Sequence, residues 1–193
     1  MTNRKEEIIL QKQTLRSVMK ARRKEAVKSV ETEENLLKNF FTLLQQINEE
    51  KAVEKHFVYL SHKNEAPTDK LIRLLLEKGQ KVFCPRVEGE DMAVVAFSEQ
   101  TSLSVFGVRE PIGTAYQGEI DSILVPFLAV DIKGNRLGYG GGFYDRFFKK
   151  NPQAKRIAYG YDFQIVDAVA VDGFDEKIEY IVTDKQIIKI NER

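Results

Sequence analysis

The residues best suited to chemistry are concentrated in one glycine-rich stretch, residues 131–145. Five of the chain's 12 glycines lie in a nine-residue span inside this stretch: Gly134, Gly138, Gly140, Gly141 and Gly142. Glycine lets phosphate oxygens approach the backbone closely and adopts positive φ without steric cost. Hydrophobic patterning predicts a strand before the stretch and a helix after it, so backbone amides and a helix N-terminus can surround a phosphate. We therefore predict an anion-binding loop.

Two charged residues in this stretch extend the prediction. Arg136 supplies a fixed positive charge, and Asp145 could hold a magnesium ion that bridges phosphates. The common nucleotide motifs do not match: a Walker A loop needs Gly-Lys-Ser/Thr, and a dinucleotide fingerprint starting at Gly138 needs glycine or alanine where Phe143 stands. The alternative is a flexible turn between strand and helix. By itself the stretch predicts a bound phosphate and no particular reaction.

The sequence has too few histidine and cysteine residues for a zinc site. The chain has two histidines, His56 and His62, and one cysteine, Cys84, which cannot build a multi-ligand zinc site. Any metal is therefore expected to be a hard cation held by oxygen. A single cysteine cannot pair within the chain and the N-terminus is polar, so the cytoplasm is the expected compartment.

Composition favours a folded protein with small-molecule partners. The 193 residues carry 30 Lys plus Arg and 29 Asp plus Glu, a net charge of +1, with 42% hydrophobic residues. This excludes a polyelectrolyte and a disordered chain. The longest apolar candidate, residues 123–130, is too short to cross a membrane and is predicted to be a buried strand. We expect one domain over residues 1–193, monomeric, with no membrane partner.

The N-terminal segment is basic and helical in pattern. Leu15, Val18 and Met19 follow the helical period, and Lys12, Arg16 and Lys20 fall four apart on an adjoining stripe. The alternatives are a solvated basic face and a nucleic-acid-binding surface. The net charge of +1 and the lack of an aromatic-basic recognition motif argue against nucleic acid.

Strands and helices are predicted to alternate along the rest of the chain. The predicted helices are residues 32–47, 68–78 and 143–149; the predicted strands are residues 56–60, 81–84, 92–97, 122–128 and 156–161; residues 106–113 are predicted to be a loop. Two βαβ units result, which favours an α/β fold: a mostly parallel sheet covered by helices on both faces, a Rossmann-like three-layer sandwich.

The glycine stretch and four further motifs resemble the 5-formyltetrahydrofolate cyclo-ligase family, also called methenyltetrahydrofolate synthetase. The core of the likeness is residues 125–131 followed by residues 134–145. Its other motifs correspond to Lys12-x-x-x-Arg16, Glu65-x-x-Thr68, Gly-Val-Arg-Glu-Pro at residues 107–111, and Asp175 before the strand and threonine at residues 181–183. Order and spacing hold over most of the chain.

The resemblance implies an ATP-driven ring closure of 5-formyltetrahydrofolate to 5,10-methenyltetrahydrofolate, with magnesium as cofactor. It implies Leu60 and Glu65 as folate contacts, Asp145 and Asp175 as magnesium ligands, and Arg136 and Lys12 as catalytic cations. The implied ATP contacts are Lys12, Arg16, Arg136, Leu137, Gly138, Tyr139, Gly140, Gly141, Gly142, Phe143 and Tyr144. Phosphoryl transfer is mostly positioning and charge neutralisation, which these residue types can supply.

Each assignment has a structural alternative. Glu65 could begin a helix with Thr68 as its N-cap, and Phe143 and Tyr144 could be core aromatics. Many family members place histidine before the late aspartate, whereas this chain has Phe174. A different phosphate-binding α/β enzyme, such as a sugar-phosphate isomerase, is the alternative function.

Overall fold

A computed structural model describes residues 2–26, 29–50 and 52–190 of the chain. Its helices are α1 Thr2–Glu25, α2 Val30–Glu50, α3 Asp69–Glu77 and α4 Phe143–Lys150. The main sheet contains seven strands: β1 Lys55–Val58, β2 Lys81–Glu88, β3 Asp91–Ala96, β6 Ser122–Val125, β9 Lys155–Tyr159, β10 Tyr180–Val182 and β11 Ile187–Lys189. Two further pairs of strands form small antiparallel ribbons: β4 Thr101–Leu103 with β5 Arg109–Pro111, and β7 Ala129–Val130 with β8 Arg136–Leu137. No helix among the described residues is long and apolar enough to cross a bilayer.

The main sheet is mostly parallel, as predicted. Its strand order is β11-β10-β9-β6-β1-β2-β3. The inner strands β2, β1, β6, β9 and β10 run parallel, and β3 and β11 pair antiparallel at the two edges. This confirms the α/β fold class.

The strand order reverses direction at β1. From β1 the chain crosses through α3 to β2 on one side, whereas β6 lies on the other side and leads through α4 to β9. Parallel crossovers are right-handed, so these two helices lie on opposite faces of the sheet. A crevice opens at the carboxyl ends of β1 and β6, which is where open α/β sheets bind ligands.

Helices cover both faces of the sheet because successive strand residues point to opposite sides. On β1, Val58 packs with the apolar residues of α2 and α3, whereas Phe57 packs with α4. Leu71, Ile72 and Leu75 of α3 follow the helical period and are fully buried. The result is the three-layer sandwich that the alternating pattern predicted.

Helix α1 lies apart from both sheet faces. Its apolar contacts, made by Leu15 and Met19, are with the β7–β8 ribbon and Val169. The helix that the spacing of Leu15, Val18 and Met19 predicted is confirmed. Its inward face is mixed, since Lys12 and Met19 are both buried, whereas Val18 is 44% exposed.

Two predicted segments differ from the structure. Residues 123–130 are not one strand, since β6 ends at Val125 and the next two strand residues, β7, pair in the ribbon with β8. Pro126 has no backbone N–H for a ladder hydrogen bond, so the chain leaves the sheet there. The predicted loop 106–113 contains β5, which pairs with β4.

A buried histidine joins the two central strands of the sheet. His56 of β1 is fully buried, and its Nδ1 hydrogen-bonds with Ser122 Oγ of β6 at 2.7 Å. Its Nε2 lies 3.2 Å from Gln80 Oε1. Burial lowers the pKa of His56 to about 4, so the imidazole is neutral in the folded protein near neutral pH.

This histidine predicts a pH dependence of stability. Between pH 6.5 and about 4 the unfolded chain binds a proton that the folded chain does not. The free energy of unfolding should therefore decrease as the pH is lowered from 6.5 to about 4, by about 3 kcal/mol from this residue. Urea unfolding of wild type and His56→Gln at several pH values measures the difference. Equal pH dependence in the two proteins would contradict this.

Candidate active site

A cleft of about 1100 Å³ opens at the carboxyl ends of β1 and β6. Tyr59 and Leu60, which directly follow β1, and Pro126, which directly follows β6, line it. One wall is formed by α1 and another by the segment between β8 and α4. The cleft therefore occupies the ligand-binding position of a doubly wound sheet.

The segment between β8 and α4, residues 138–142, is here called the glycine run. Gly140 and Gly142 have φ of 103° and 67°, a left-handed region that favours glycine. Gly142 is the N-cap of α4 and no side chain caps this helix. The first amides of α4 therefore lack a side-chain acceptor at a point that lines the cleft, which suits an anion.

Arg136 is fixed beside the glycine run. It is 8% exposed, and its Nη2 donates to Asp145 Oδ1 at 3.0 Å. Its guanidinium carbon lies 5.8 Å from the ring centroids of Tyr144 and Phe148. A Cβ on Gly138 would lie 2.7 Å from Arg136 Nη1, so a side chain there would displace the guanidinium. Its buried Nε has no hydrogen-bond partner among the described protein atoms.

Gly134 does not belong to the predicted phosphate cradle. It does not line the cleft, and it lies in the turn of the β7–β8 ribbon with φ of 83°. A Cβ there would lie 2.7 Å from the carbonyl oxygen of Ile178. The same turn is held by the buried Asp131 carboxylate, which accepts from the amides of Lys133 and Asn135. The prediction that all five glycines serve one loop was therefore wrong for Gly134, and the other four line the cleft.

The inward face of α1 presents a row of cations to the cleft. Arg16 Nε donates to the carbonyl of Gly138 at 3.0 Å, so α1 contacts the glycine run directly. Lys12 lies one turn before Arg16, and Arg23 lies about two turns after it. All three line the cleft. Lys20, which the four-residue spacing grouped with Lys12 and Arg16, also lines the cleft but is exposed.

Lys12 is held by two aspartates from the far end of the chain. Its Nζ donates to Asp172 Oδ2 at 2.8 Å and to Asp175 Oδ2 at 2.5 Å. Burial alone would lower the pKa of Lys12, but the hydrogen bonds and charges of the two carboxylates outweigh burial and raise it. The hydrogen bond from Lys12 also lowers the pKa of Asp172. This end of the cleft is therefore charged at neutral pH.

The two predicted magnesium ligands both line the cleft. Asp145 pairs with Arg136, and Asp175 pairs with Lys12. Within the described part of the chain, no three His, Cys, Asp or Glu side chains converge on one point. Mg²⁺ commonly takes one or two carboxylates and completes its shell with phosphates and water. The oxygen donors present fit such an ion.

The opposite end of the cleft contains the predicted folate contacts. Leu60 is buried in its floor. Glu65 lies before α3 and its Oε2 accepts from the amide of His62 at 2.8 Å, while its Oε1 accepts from the hydroxyl of Tyr139. Thr68 has the N-cap position of α3, but its hydroxyl donates to the Tyr59 carbonyl at 2.7 Å instead of capping the helix. Glu65 therefore does not begin α3, which starts at Asp69.

Three further predicted residues line the cleft, and two of them, Leu137 and Tyr144, also pack with the core. Leu137 is 2% exposed and packs with Met19 of α1. Tyr144 packs against the core on the α4 side, and Phe143 has an edge contact with Phe106, at 6.0 Å between ring centroids. The core and pocket interpretations are therefore compatible for Tyr144, whereas Phe143 packs against the exposed Phe106 ring outside the core.

The structure brings all the predicted site residues to this one cleft. Several cleft residues were not predicted, among them the charged residues Arg23 and Asp172. Arg23 follows Arg16 by seven residues and so shares its helical face, a spacing that could have identified it. Asp172 precedes Asp175 by three residues, but nothing in the sequence links either one to Lys12.

Comparisons with known proteins agree on one family. The model of the 5-formyltetrahydrofolate cyclo-ligase family matches residues 8–184. The mouse 5-formyltetrahydrofolate cyclo-ligase is 26% identical over 184 residues, 85% of this chain and 91% of that protein. The Escherichia coli K12 enzyme of the same name is 27% identical over 141 residues, 67% of this chain and 78% of that one. The NMR structure of Aquifex aeolicus 5,10-methenyltetrahydrofolate synthetase has a TM-score of 0.77 and 27% identity, covering 94% of each chain.

Proposed function

The chain belongs to the 5-formyltetrahydrofolate cyclo-ligase family, a family of ligases, and we propose that it uses ATP to convert 5-formyltetrahydrofolate to 5,10-methenyltetrahydrofolate. The formyl oxygen takes the γ-phosphoryl group of ATP, and ADP leaves. N10 then attacks the activated formyl carbon and loses its proton. Phosphate departs with the formyl oxygen, which leaves the carbon bonded to both nitrogens.

The glycine run and three cations are the proposed ATP site. Phosphoryl transfer needs positioned donors and positive charge more than a side-chain nucleophile. The uncapped N-terminus of α4 supplies backbone donors, and Arg16 contacts the run from α1. Arg136 and Lys12 flank this region and would neutralise the charge that develops on the transferring group.

Asp145 and Asp175 are the residues proposed to hold magnesium. A bound ion would neutralise part of the charge of the ATP phosphates. Arg136 and Lys12 presently pair with these two carboxylates, so the same cations orient the ligands toward the cleft. The protein's own contribution is to hold both carboxylates in the cleft, each beside a cation.

Folate is proposed to occupy the other end. Glu65 can accept hydrogen bonds from the N–H groups of the pterin ring, and Leu60 and Tyr59 offer apolar surface for it. Along α1, Lys12 and Arg23 are eleven residues apart, about 16 Å at the helical rise. That separation leaves room for a phosphate chain near Lys12 and a ring system near Glu65.

The observation that carries this proposal is that the groups proposed to bind phosphate, magnesium and the pterin all line one cleft. The test is an assay of purified protein with ATP, magnesium and 5-formyltetrahydrofolate, following absorbance of the methenyl product and release of ADP. We expect ADP only when the folate is present. ADP release without folate, or no methenyl product, would refute the proposed function.

Replacing Asp145 with asparagine should raise the magnesium concentration needed for half-maximal turnover by about tenfold or more. The asparagine oxygen can still accept from Arg136 and from the amide of Glu176, so the local fold should persist. Turnover measured against magnesium concentration gives the shift.

Asp91→Asn is the matched control for this change. Asp91 pairs with Lys150 outside the cleft, so its loss should leave the magnesium titration unchanged. An unchanged titration in Asp145→Asn as well would remove Asp145 from the magnesium site.

A further inference from the structure

Tyr139 joins two residues from opposite sides of the cleft. Its hydroxyl accepts a hydrogen bond from Arg23 Nη1 at 2.5 Å and donates one to Glu65 Oε1. The guanidinium carbon of Arg23 also lies 5.4 Å from the centroid of the Tyr139 ring. The three side chains therefore form one hydrogen-bonded chain.

These two hydrogen bonds connect three separate elements of the fold. Arg23 belongs to α1, Tyr139 to the glycine run, and Glu65 to the loop that follows β1. They are distant in sequence, since Tyr139 is 116 residues from Arg23 and 74 from Glu65. Tyr139 is thus the residue through which the proposed ATP site contacts the proposed folate site.

Charge and protonation favour this arrangement. Burial and the charge of Glu65 raise the pKa of Tyr139, so its hydroxyl is protonated and can donate at neutral pH. Arg23 is 8% exposed, and within the described residues it forms no ion pair with a carboxylate. The Arg23 donor is therefore available to orient the Tyr139 hydroxyl toward Glu65.

We propose that Tyr139 is a positioning residue that couples the two substrate sites. While the folate site is empty, the Tyr139 hydroxyl holds one carboxylate oxygen of Glu65. A pterin ring that takes this carboxylate displaces the hydroxyl and releases the glycine run to close on the ATP phosphates. This inference rests on the proposed function, in which Glu65 binds the pterin.

The expected energetics follow from the displaced hydrogen bond. A folate that binds Glu65 must first break the bond from Tyr139, so removing the hydroxyl should tighten folate binding by about tenfold. Because linkage is reciprocal, folate and nucleotide should each strengthen the binding of the other by the same factor in the wild type. Without the hydroxyl, that factor should fall toward one.

The test compares wild type with Tyr139→Phe, which keeps the ring and removes only the hydroxyl. Isothermal titration gives the Kd of 5-formyltetrahydrofolate with and without a β,γ-imido analogue of ATP, and the Kd of the analogue with and without the folate. We expect tighter folate binding by Tyr139→Phe alone, and mutual strengthening in the wild type only. Arg23→Met should lower the coupling factor in the same direction.

Tyr180→Phe is the control, because it removes a tyrosine hydroxyl from β10 outside the cleft. It should behave as the wild type. Unchanged coupling in Tyr139→Phe, weaker folate binding by it, or no coupling in the wild type would each overturn this inference alone. A wild type that binds the nucleotide analogue and no folate would overturn the proposed function as well.

Discussion

Replacing Arg136 with alanine is expected to lower kcat about a hundredfold at saturating ATP, which corresponds to a barrier increase of roughly 3 kcal/mol. Arg136 is the one arginine next to the glycine run on β8, and its guanidinium is held by Asp145 and two aromatic rings. A cation fixed in this way needs little reorganisation as charge develops on the transferring group. Arg136→Lys should lose less, because lysine keeps the charge without the planar fork.

Arg156→Ala is the control for the packing that Arg136 also provides. Arg156 pairs with Glu176, and its guanidinium carbon lies 4.8 Å from the centroid of the same Phe148 ring, but it does not line the cleft. We expect both alanine variants to lower the melting temperature and only Arg136→Ala to lose turnover. Near-normal kcat in Arg136→Ala, or equal loss in Arg156→Ala, would remove Arg136 from the reaction.

Replacing Lys12 and Arg16 together with alanine is expected to raise the KM for ATP by on the order of a hundredfold, since two charge-assisted hydrogen bonds to phosphate are lost. The KM for 5-formyltetrahydrofolate should change much less, because Glu65 and Leu60 lie at the other end of the cleft. Steady-state kinetics with each substrate varied separately distinguishes the two effects.

Arg4→Ala combined with Arg22→Ala is the matched control on the same helix. Both arginines are exposed and do not line the cleft, so KM for ATP should stay near the wild-type value. If the Lys12 and Arg16 variant loses both substrates equally, α1 organises the whole cleft and does not specifically bind ATP. If neither KM changes, the two residues do not bind ATP.

The sheet was predictable because the signals that specify it are local. The helical spacing of Leu71, Ile72 and Leu75 arises from side chains that pack on one sheet face. The apolar run at residues 81–84 arises from a strand whose side chains pack on both faces. The end of β6 at Val125 was harder to place. Hydrophobicity continues through residue 130, and only the missing N–H of Pro126 stops the ladder.

The site was partly predictable for a different reason. Glycines at positions such as Gly140 and Gly142 adopt backbone conformations that few other residues tolerate, so their spacing marks the loop in the sequence. The same reasoning misplaced Gly134, because a ribbon turn makes the same demand as a phosphate loop. Local sequence cannot distinguish these two uses of positive φ.

The pairs that complete the cleft could not be read from the sequence. Lys12 meets Asp172 and Asp175, and Arg23 meets Tyr139, only because the fold brings α1 over the carboxyl end of the sheet. No spacing rule relates residues so far apart. For the same reason Val18 shares the helical period of Leu15 and Met19 in the sequence, although the fold leaves it exposed.

The pairing of Lys12 with Asp172 and Asp175 also orders events during protein synthesis. The partners are 160 and 163 residues later in the chain. At ribosomal rates of about 5–20 residues per second, roughly 8–30 s pass between the synthesis of α1 and that of its aspartates. A nascent chain can form β1, α3 and β2 in that time, but Lys12 cannot pair with these two aspartates until the segment between β9 and β10 is made. The Lys12 end of the cleft therefore forms late, since it joins segments that are synthesised 160 residues or more apart.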